Sequence, residues 1–536
     1  MPRVPVPSRP MSWLKRHSPT LSALLFCGVV LATVGDYGIT YDEAVYFRAG
    51  VSYGQWLKNP SWSAIDSHWS INHEHPPLLK VLGGLTHSLF HDALPVLSHL
   101  SAFRLASLIF VFLGAYFTFL FAAEFMSRSL AFLSAAFFLL LPRVFFHAQL
   151  GAMDYPLACL WLAVIYASWR GMEHTGWTWA ASFFLGLALL TKANAFLLYI
   201  PVLGLWAVSF LGSRSGNPRP GEIAGVRKSR SPFLSLGILI LVPPAMFIGL
   251  WPWIWPDPIS RIAEFVAFHW RHPLVFVYYL GQQVPLAPWH YPFVLTFLTV
   301  PLAVLVPLGA GLFSILLRPD RVRVYLLFNF LFPLLLIANP PVPKYDGVRL
   351  FLPAFPFLGI IAGIGVRHLT LWAGRIRGGK WVLPVYLLLF SLTVYSSLVR
   401  IHPYQSSYYN ELVGGIDGAV KRGFEAEFWG NATRAVLPWL NAHPGHTYWV
   451  YLVDLEPRLL WAFDLYKADG LLDPAVRFGN KDNSDFLVLL IRQGFFSPQM
   501  WDYYRNREPV YSVRLSQTPL VNVYRLAPEG GPGRAE

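Results

Sequence analysis

The sequence of 536 residues is poor in charged side chains and contains almost no cysteine. Charged residues make up 13% of the chain, about half the share that is usual in soluble globular proteins. This shortage excludes an ordinary soluble domain and predicts a protein that crosses a membrane several times. The two cysteines, Cys27 and Cys159, both lie in apolar segments. We interpret them as packing residues, because two distant thiols of this kind indicate neither a disulfide framework nor a metal site.

Hydrophobic residues make up 55% of the chain and are collected in runs long enough to span a bilayer. The runs cover roughly 19–35, 101–123, 129–147, 155–170, 177–191, 194–212, 232–252, 291–317, 322–338, 348–368 and 381–400. They predict an α-helical polytopic protein with about eleven transmembrane helices in residues 19–400. The fifth and sixth runs are also compatible with a hairpin of shorter helices.

The net charge of +13 reflects basic residues concentrated in one set of loops between the apolar runs. These residues are Arg3, Arg9, Lys15, Arg16, Arg214, Arg219, Arg227, Lys228, Arg230, Arg318, Arg321, Arg323, Arg367, Arg375, Arg377 and Lys380. By the positive-inside rule this side is cytoplasmic and includes the tail 1–18. The loops 36–100 and 253–290 then face outward. In a bacterial chain this means the inner membrane, with the C-terminus in the periplasm.

The first apolar run is short, so a cleaved signal peptide is an alternative to a first helix. We favour the uncleaved helix because small-residue cleavage cues after the run are poor. The spanning pattern ends near residue 401, where strand-like runs and one helical pattern, 431–440, begin. The strand-like runs are 447–453, 485–490, 510–514 and 522–525. Residues 401–527 are therefore predicted to form a small mixed α/β outer domain, followed by a disordered tail, 528–536.

Two adjacent acids, Asp42 and Glu43, directly follow the first apolar run. Charges so close to hydrocarbon are costly, so they indicate a function. The amphipathic stretch 45–57 that follows suits a helix in the headgroup layer. The outer face of a membrane has no ATP or nucleotide sugar. A group donor used there has to be carried by a lipid or exported.

Four segments resemble polytopic glycosyltransferases of family 39, which include protein O-mannosyltransferases and lipid A aminoarabinose transferases. The segments are Tyr41-Asp42-Glu43, His73-Glu74-His75-Pro76-Pro77-Leu78, Gly151-Ala152-Met153-Asp154-Tyr155-Pro156-Leu157 and Leu187-Ala188-Leu189-Leu190-Thr191-Lys192. Their order and predicted side of the membrane agree with the family, and the resemblance covers about residues 20–370. It implies the fold called GT-C. It also implies transfer of a sugar from a polyprenyl-phosphate donor to an acceptor, with inversion at the anomeric carbon.

The resemblance implies roles for three acids. Asp42 becomes the catalytic base, because inverting transfer needs a carboxylate to take the acceptor proton. Glu43 positions the acceptor or the interfacial helix, and Asp154 lies in the catalytic cavity. Each acid also has a purely structural interpretation. Asp42 and Glu43 suit solvated capping acids, and Asp154 suits the cap of the helix that begins there.

Further residues are candidates for substrate binding. Glu74 and His75 are expected to contact the sugar or phosphate, and His75 replaces a lysine found in some aminoarabinose transferases. A divalent metal held by His73, Glu74 and His75 is the alternative, so no cofactor is certain. The lipid phosphate is expected to meet basic residues on the outer side, although each could instead extend to the interface for its own hydration. These residues are Lys80, Lys192, Arg271, Lys344 and Arg349.

The aromatic-rich loop 253–290 suits either a lid over the donor or an interfacial aromatic belt. The predicted partners are a polyprenyl-phosphate-linked sugar, membrane lipids and an acceptor that is a protein, a glycolipid or a polymer, and no nucleic acid. The sequence leaves the sugar and the acceptor open. A transporter or flippase of lipid-linked sugars is the main alternative, although the internal repeats typical of transporters are not evident. A catalytically inert membrane anchor would leave the acids unexplained.

Overall fold

The computed structural model describes residues 13–214, 232–271, 274–375, 378–451 and 456–526. The predicted disordered tail 528–536, most of the tail 1–18 and the basic loop near 219–230 lie outside these residues.

Residues 13–394 contain eighteen described α-helices. They are α1 Trp13–Thr33, α2 Tyr41–Lys58, α3 Ile65–Trp69, α4 Leu78–His87, α5 His99–Arg104, α6 Ser107–Ala123, α7 Arg128–Leu139, α8 Pro142–Ala148, α9 Asp154–Gly171, α10 Thr175–Leu189, α11 Tyr199–Arg214, α12 Pro232–Gly249, α13 Pro258–Trp270, α14 Tyr291–Thr299, α15 Leu302–Leu317, α16 Arg321–Ala338, α17 Phe355–Ala373 and α18 Val382–Val394. Every predicted apolar run overlaps at least one of them, which confirms the helical fold class.

Four helical stretches among the described residues are long and apolar enough to cross a membrane. They are His99–Ala123, Arg321–Ala338, Arg349–Ala373 and Gly379–Val399, and the bent pair α7–α8 makes a fifth if it counts as one span. The chain is an integral membrane protein. The number of eleven crossings stays a prediction, because several other apolar helices are shorter than a bilayer needs.

Two predicted runs are not single helices. The run 129–147 bends by 77° between α7 and α8, and the run 291–317 is interrupted between α14 and α15. A proline lies at the start of the second helix in both places. Pro142 is the first residue of α8, and Pro301 directly precedes α15. Proline has no N–H to donate to the preceding turn and disfavours helical geometry in the residue before it.

The predicted amphipathic stretch after the first helix forms most of α2, which packs closely on α4. Glycines make this approach possible. A Cβ on Gly84 would overlap the backbone oxygen of Gly50, and a Cβ on Gly50 would come 2.5 Å from the backbone oxygen of Lys80. The two backbones therefore touch directly, which fixes the position of α2 and of the acids in its first turn.

Residues 405–526 form a small domain around one sheet, which we call the outer domain after its predicted position. Its helices are α19 Gly415–Lys421, α20 Leu437–Asn441, α21 Glu456–Ala468 and α22 Pro498–Asn506, and its strands are β3 Thr447–Tyr451, β4 Arg477–Phe478, β5 Phe486–Leu490, β6 Tyr511–Leu515 and β7 Thr518–Arg525. The strand order is β4-β3-β5-β7-β6, with β3 parallel to both neighbours and β7 antiparallel to both of its own. The predicted α/β character is confirmed.

The sequence prediction differs from this domain in detail. The pattern at 431–440 is a 3-10 turn, Asn431–Val436, followed by the short α20, and β4 is too short to leave a pattern. The loop 253–290 also contains an unpredicted hairpin, β1 Val277–Tyr279 and β2 Gln282–Val284. The side-chain amide of Gln283 donates to the carbonyls of Gln493 and Phe496 at 2.8 Å. This loop is therefore attached to the outer domain.

We expect Gly84→Ala to destabilise the protein by about 1–3 kcal/mol, because the added methyl group has no space against α2. The matched control is Gly28→Ala, where nothing lies within 4 Å of the new methyl group. Thermal unfolding of both variants in detergent measures the effect. Equal melting temperatures for the two variants would contradict the close helix contact.

Candidate active site

The first acid of the site, Asp42, lies in the first turn of α2 and has two partners. Its Oδ2 is 2.6 Å from Nη1 of Arg349 and accepts a hydrogen bond from the indole of Trp429 at 3.2 Å. Arg349 comes from the turn before α17, and Trp429 from the outer domain. The Asp42 and Arg349 side chains keep 15% and 10% of their surface exposed. This ion pair is therefore accessible from outside the protein.

A second accessible ion pair joins Asp154, at the start of α9, to Lys192. Their side-chain atoms Oδ1 and Nζ are 2.5 Å apart, and the lysine side chain is 19% exposed. Arg349 interacts electrostatically with Asp154 as well as with Asp42. Four of the residues predicted from sequence thus form one charged cluster, although they come from four separate parts of the chain.

Glu43 points away from this cluster and is completely buried. Its carboxylate binds Arg104 through both oxygens, at 2.7 Å and 2.6 Å, and accepts the backbone N–H of Gly151 at 2.7 Å. The remaining Arg104 donors bind the carbonyl oxygens of Val34, Tyr37 and Gly38. Glu43 therefore links α2 to the chain that leads into Asp154. Sequence reasoning missed Arg104, although an arginine at the start of an apolar run was a signal that a partner acid exists.

A further buried pair connects the site to the outer domain. Asp346 accepts hydrogen bonds from Arg492 at 2.5 Å and from the hydroxyl of Tyr41 at 3.0 Å, and it lies 3.3 Å from Arg349 Nε. Both side chains of the Asp346–Arg492 pair are fully buried. Arg492 also donates to the backbone oxygen of Phe428 at 2.7 Å. Neither residue was predicted, because they are 146 residues apart and each is an ordinary surface charge in sequence.

Trp429 brings the outer domain into direct contact with the charged cluster. Its ring lies 4.7 Å from the guanidinium of Arg349 and 5.1 Å from the ring of His147. Its backbone oxygen accepts the N–H of Tyr41 at 3.3 Å. His147 is 1% exposed, and within the described residues neither of its ring nitrogens has a hydrogen-bond partner. An unsatisfied buried imidazole next to the cluster is a candidate for contact with a bound substrate.

Comparison with known proteins shows what this arrangement is similar to. Residues 74–219 match the family model described as dolichyl-phosphate-mannose-protein mannosyltransferase. The fold is similar to that of ArnT from Cupriavidus metallidurans in the apo state, with 14% identity, a TM-score of 0.52 and coverage of 97% of this chain and 100% of that one. This chain has the GT-C glycosyltransferase fold. The predicted resemblance to glycosyltransferase family 39 is confirmed.

A second ArnT structure, bound to undecaprenyl phosphate, is similar to this GT-C chain with 15% identity and a TM-score of 0.50. The match covers 96% of this chain and 100% of that one. No curated protein matches the chain by sequence.

Two lysines predicted to bind phosphate hold loops of the GT-C fold instead of joining the cluster. Lys80 Nζ donates to the backbone oxygens of Asn72 and His75 and to the Asn72 side chain, at 2.6–3.1 Å. Lys344 Nζ donates to three backbone carbonyls at 2.8–3.3 Å. An ammonium group has three N–H donors, so all the donors of Lys80 and of Lys344 are already used. Burial lowers the pKa of Lys80 to about 7. Phosphate binding by either lysine stays a prediction.

Glu74 and Arg271 line a separate cavity of about 310 Å³, together with His73, Glu264 and Phe268. The predicted metal ligands make different contacts there. His73 Nε2 lies 3.0 Å from Glu264, Glu74 accepts a hydrogen bond from Asn72, and the ring of His75 packs near that of His269. Three adjacent residues with separate partners do not form one ligand set. In the described part of the chain, a different group of three histidines brings its ligand atoms together.

We expect Glu43→Gln to lower the free energy of unfolding by about 3–5 kcal/mol, because it leaves the buried Arg104 without a counter-charge. Asp42→Asn, one residue earlier, should cost less, since Arg349 keeps a second carboxylate, Asp346, at 3.3 Å. Thermal unfolding in detergent separates the two variants. A destabilisation by Asp42→Asn as large as that by Glu43→Gln would refute the distinction between them.

Glu425 gives a pH-dependent prediction for the outer domain. Burial raises the pKa of this carboxyl from 4.5 to about 7, so the folded protein holds a proton between these values that the unfolded chain has lost. Stability therefore falls as the pH rises from about 4.5 to 7, by at most about 1.4 kcal/mol per pH unit. Glu425→Gln removes this dependence, so the free energy of unfolding of the variant should rise relative to that of the wild type as the pH increases from 4.5 to 7. A difference in unfolding free energy between the two proteins that is constant over this range would contradict the assignment.

Proposed function

We propose that this protein transfers a sugar from a polyprenyl-phosphate donor to an acceptor on the outer face of the membrane, with inversion of the anomeric centre. The observation that carries the proposal is a difference in solvent exposure among the four ion pairs described above. Glu43–Arg104 and Asp346–Arg492 are sealed, whereas Asp42–Arg349 and Asp154–Lys192 are partly exposed and adjacent. Asp42 provides a proton acceptor with part of its surface exposed, and Arg349 and Lys192 provide a phosphate site.

In this proposal the donor phosphate binds Arg349 and Lys192. A guanidinium binds phosphate through two hydrogen bonds, and the ammonium group of a lysine binds it as a point charge. The arriving phosphate competes with Asp42 for Arg349, so the carboxylate of Asp42 is released to act as a base. The solved structure of ArnT with undecaprenyl phosphate, which has the same fold, supports a lipid phosphate as the donor class.

The acceptor O–H attacks the anomeric carbon, its proton passes to Asp42, and the bond between that carbon and the phosphate oxygen breaks. The lipid phosphate leaves with the electron pair, and Arg349 and Lys192 stabilise its charge. The Trp429 indole, by donating to Asp42, fixes the orientation of the base.

The other predicted residues take supporting roles. Glu43 positions α2 through Arg104, and Asp154 orients Lys192. The cavity beside Glu74, His75 and Arg271 suits the sugar or the acceptor. We place the N-terminus in the cytoplasm and the outer domain in the periplasm of a bacterial inner membrane, as the charge distribution indicates. The acceptor class, whether protein, glycolipid or polymer, is for experiment to decide.

The decisive experiment incubates proteoliposomes of the protein and candidate acceptors with labelled polyprenyl-phosphate sugars. We expect Asp42→Asn to lower the transfer rate by about 10²–10⁴-fold, because the acceptor proton then has no base. The matched control is Asp66→Asn in the same outer loop, an acid with an exposed side chain paired to Arg261, which should retain full activity.

Transfer that survives Asp42→Asn would remove this residue from the base role. If no donor is used but the labelled lipid crosses the bilayer, the protein is a transporter or flippase instead.

A further inference from the structure

Three histidines of the first outer loop come together at the end of α4, away from the charged cluster. His87 ends α4, His91 lies in the π-helical turn Ser88–Ala93 that follows, and His99 begins α5. Each offers a ring nitrogen that lies within 4.8 Å of the other two. His87 Nε2 and His99 Nδ1 are 2.9 Å apart, and the ring centres of His91 and His99 lie 3.6 Å from each other. Two ligands of a tetrahedral zinc ion lie about 3.4 Å apart, so small shifts would admit an ion.

The opposite ring nitrogen of His91 is held by a backbone carbonyl, and that of His87 lies near a carboxylate. His91 Nδ1 lies 2.9 Å from the backbone oxygen of Leu97, and His87 Nδ1 lies 3.6 Å from Oδ1 of Asp92. A histidine that ligates a metal usually donates its other N–H to a carbonyl or carboxylate, which fixes the tautomer and aims the free nitrogen at the ion. Both types of partner are present here. The ligand atoms are then Nε2 of His87, Nε2 of His91 and Nδ1 of His99.

We propose that His87, His91 and His99 form a metal site for a first-row transition ion, with Zn²⁺ as the first candidate. Imidazole nitrogen suits Zn²⁺, Cu²⁺ and Ni²⁺. Water completes the coordination, because His91 and His99 are only partly buried. A neutral imidazole keeps its one proton when it binds a metal. The ion therefore displaces the hydrogen bond between His87 Nε2 and His99 Nδ1, and the proton of that bond moves to the opposite nitrogen of the same ring.

A metal ion at this site would stabilise the position of α2, the helix that carries Asp42, and would take no part in the reaction. An ion there would join the end of α4 to the start of α5. Phe47, on the same helix α2 as Asp42, packs its ring edge-on against His87 at 5.3 Å and His99 at 6.2 Å. The backbone N–H of His99 also donates to Asp469 of the outer domain at 2.8 Å. The ion would therefore stabilise the junction between the first loop, α2 and the outer domain.

The test uses the full-length protein, purified with a tag that contains no histidine, stripped by chelator and titrated with Zn²⁺ against a coloured competitor. We expect one tightly bound equivalent in the wild type and at least a tenfold loss of affinity in His91→Gln. The matched control, His73→Gln, alters a half-buried histidine of the same loop that also faces an acid. It should bind like the wild type.

A second measurement keeps the proposal testable if His91→Gln folds poorly. Zn²⁺ should raise the melting temperature of the stripped wild type, and Co²⁺ should give the visible absorption of a four-coordinate site. The absence of both effects in the wild type would overturn the proposal. Loss of the bound equivalent in His73→Gln, with His91→Gln unaffected, would overturn it too, by placing the ion in the cavity beside Glu264.

Discussion

The structure depends on the requirement that a charge near hydrocarbon has a partner. Removing an ion from water costs several kcal/mol, and the cost is recovered only by a counter-charge with good geometry. Asp42, Glu43, Asp154 and Asp346 each meet this requirement with a basic residue from another part of the chain. The two sealed pairs hold the backbone in place, and the two exposed pairs can exchange partners with a ligand. Solvent exposure thus distinguishes the ion pairs that stabilise the backbone from the ion pairs that can react with a ligand.

The outer domain is part of the site rather than an appendage. Trp429 contacts both members of the Asp42–Arg349 pair, and Arg492 neutralises Asp346 beneath them. The hairpin of the loop 253–290 binds the same domain through Gln283. Contacts of this kind join the helical bundle and the domain into one unit. A protein that lacked the domain would expose the buried charge of Asp346.

Much of the fold was predictable from the sequence because hydrophobic runs and alternating patterns are local signals. The same is true of Asp42 and Asp154, which stand beside apolar runs. Lys80, Lys192 and Lys344 look alike in sequence, yet only Lys192 meets an acid, since the other two are enclosed by nearby carbonyl groups. That difference arises from how the loops fold.

The partners of Arg104 and Trp429 were not predictable for a related reason. Their partners lie 61 and 387 residues away, and a single sequence has no signal for pairs so distant. The bend after α7 and the break before α15 could have been predicted from Pro142 and Pro301 with more weight on proline.

The ion pair between Asp42 and Arg349 has a kinetic consequence under the proposed function. While the guanidinium is bound to Oδ2 of Asp42, water or an acceptor that arrives early finds this oxygen occupied. Only a donor phosphate that draws Arg349 away makes Asp42 competent. The two substrates would therefore react in a fixed order, donor before acceptor, and the costly lipid-linked sugar would be protected from wasteful hydrolysis.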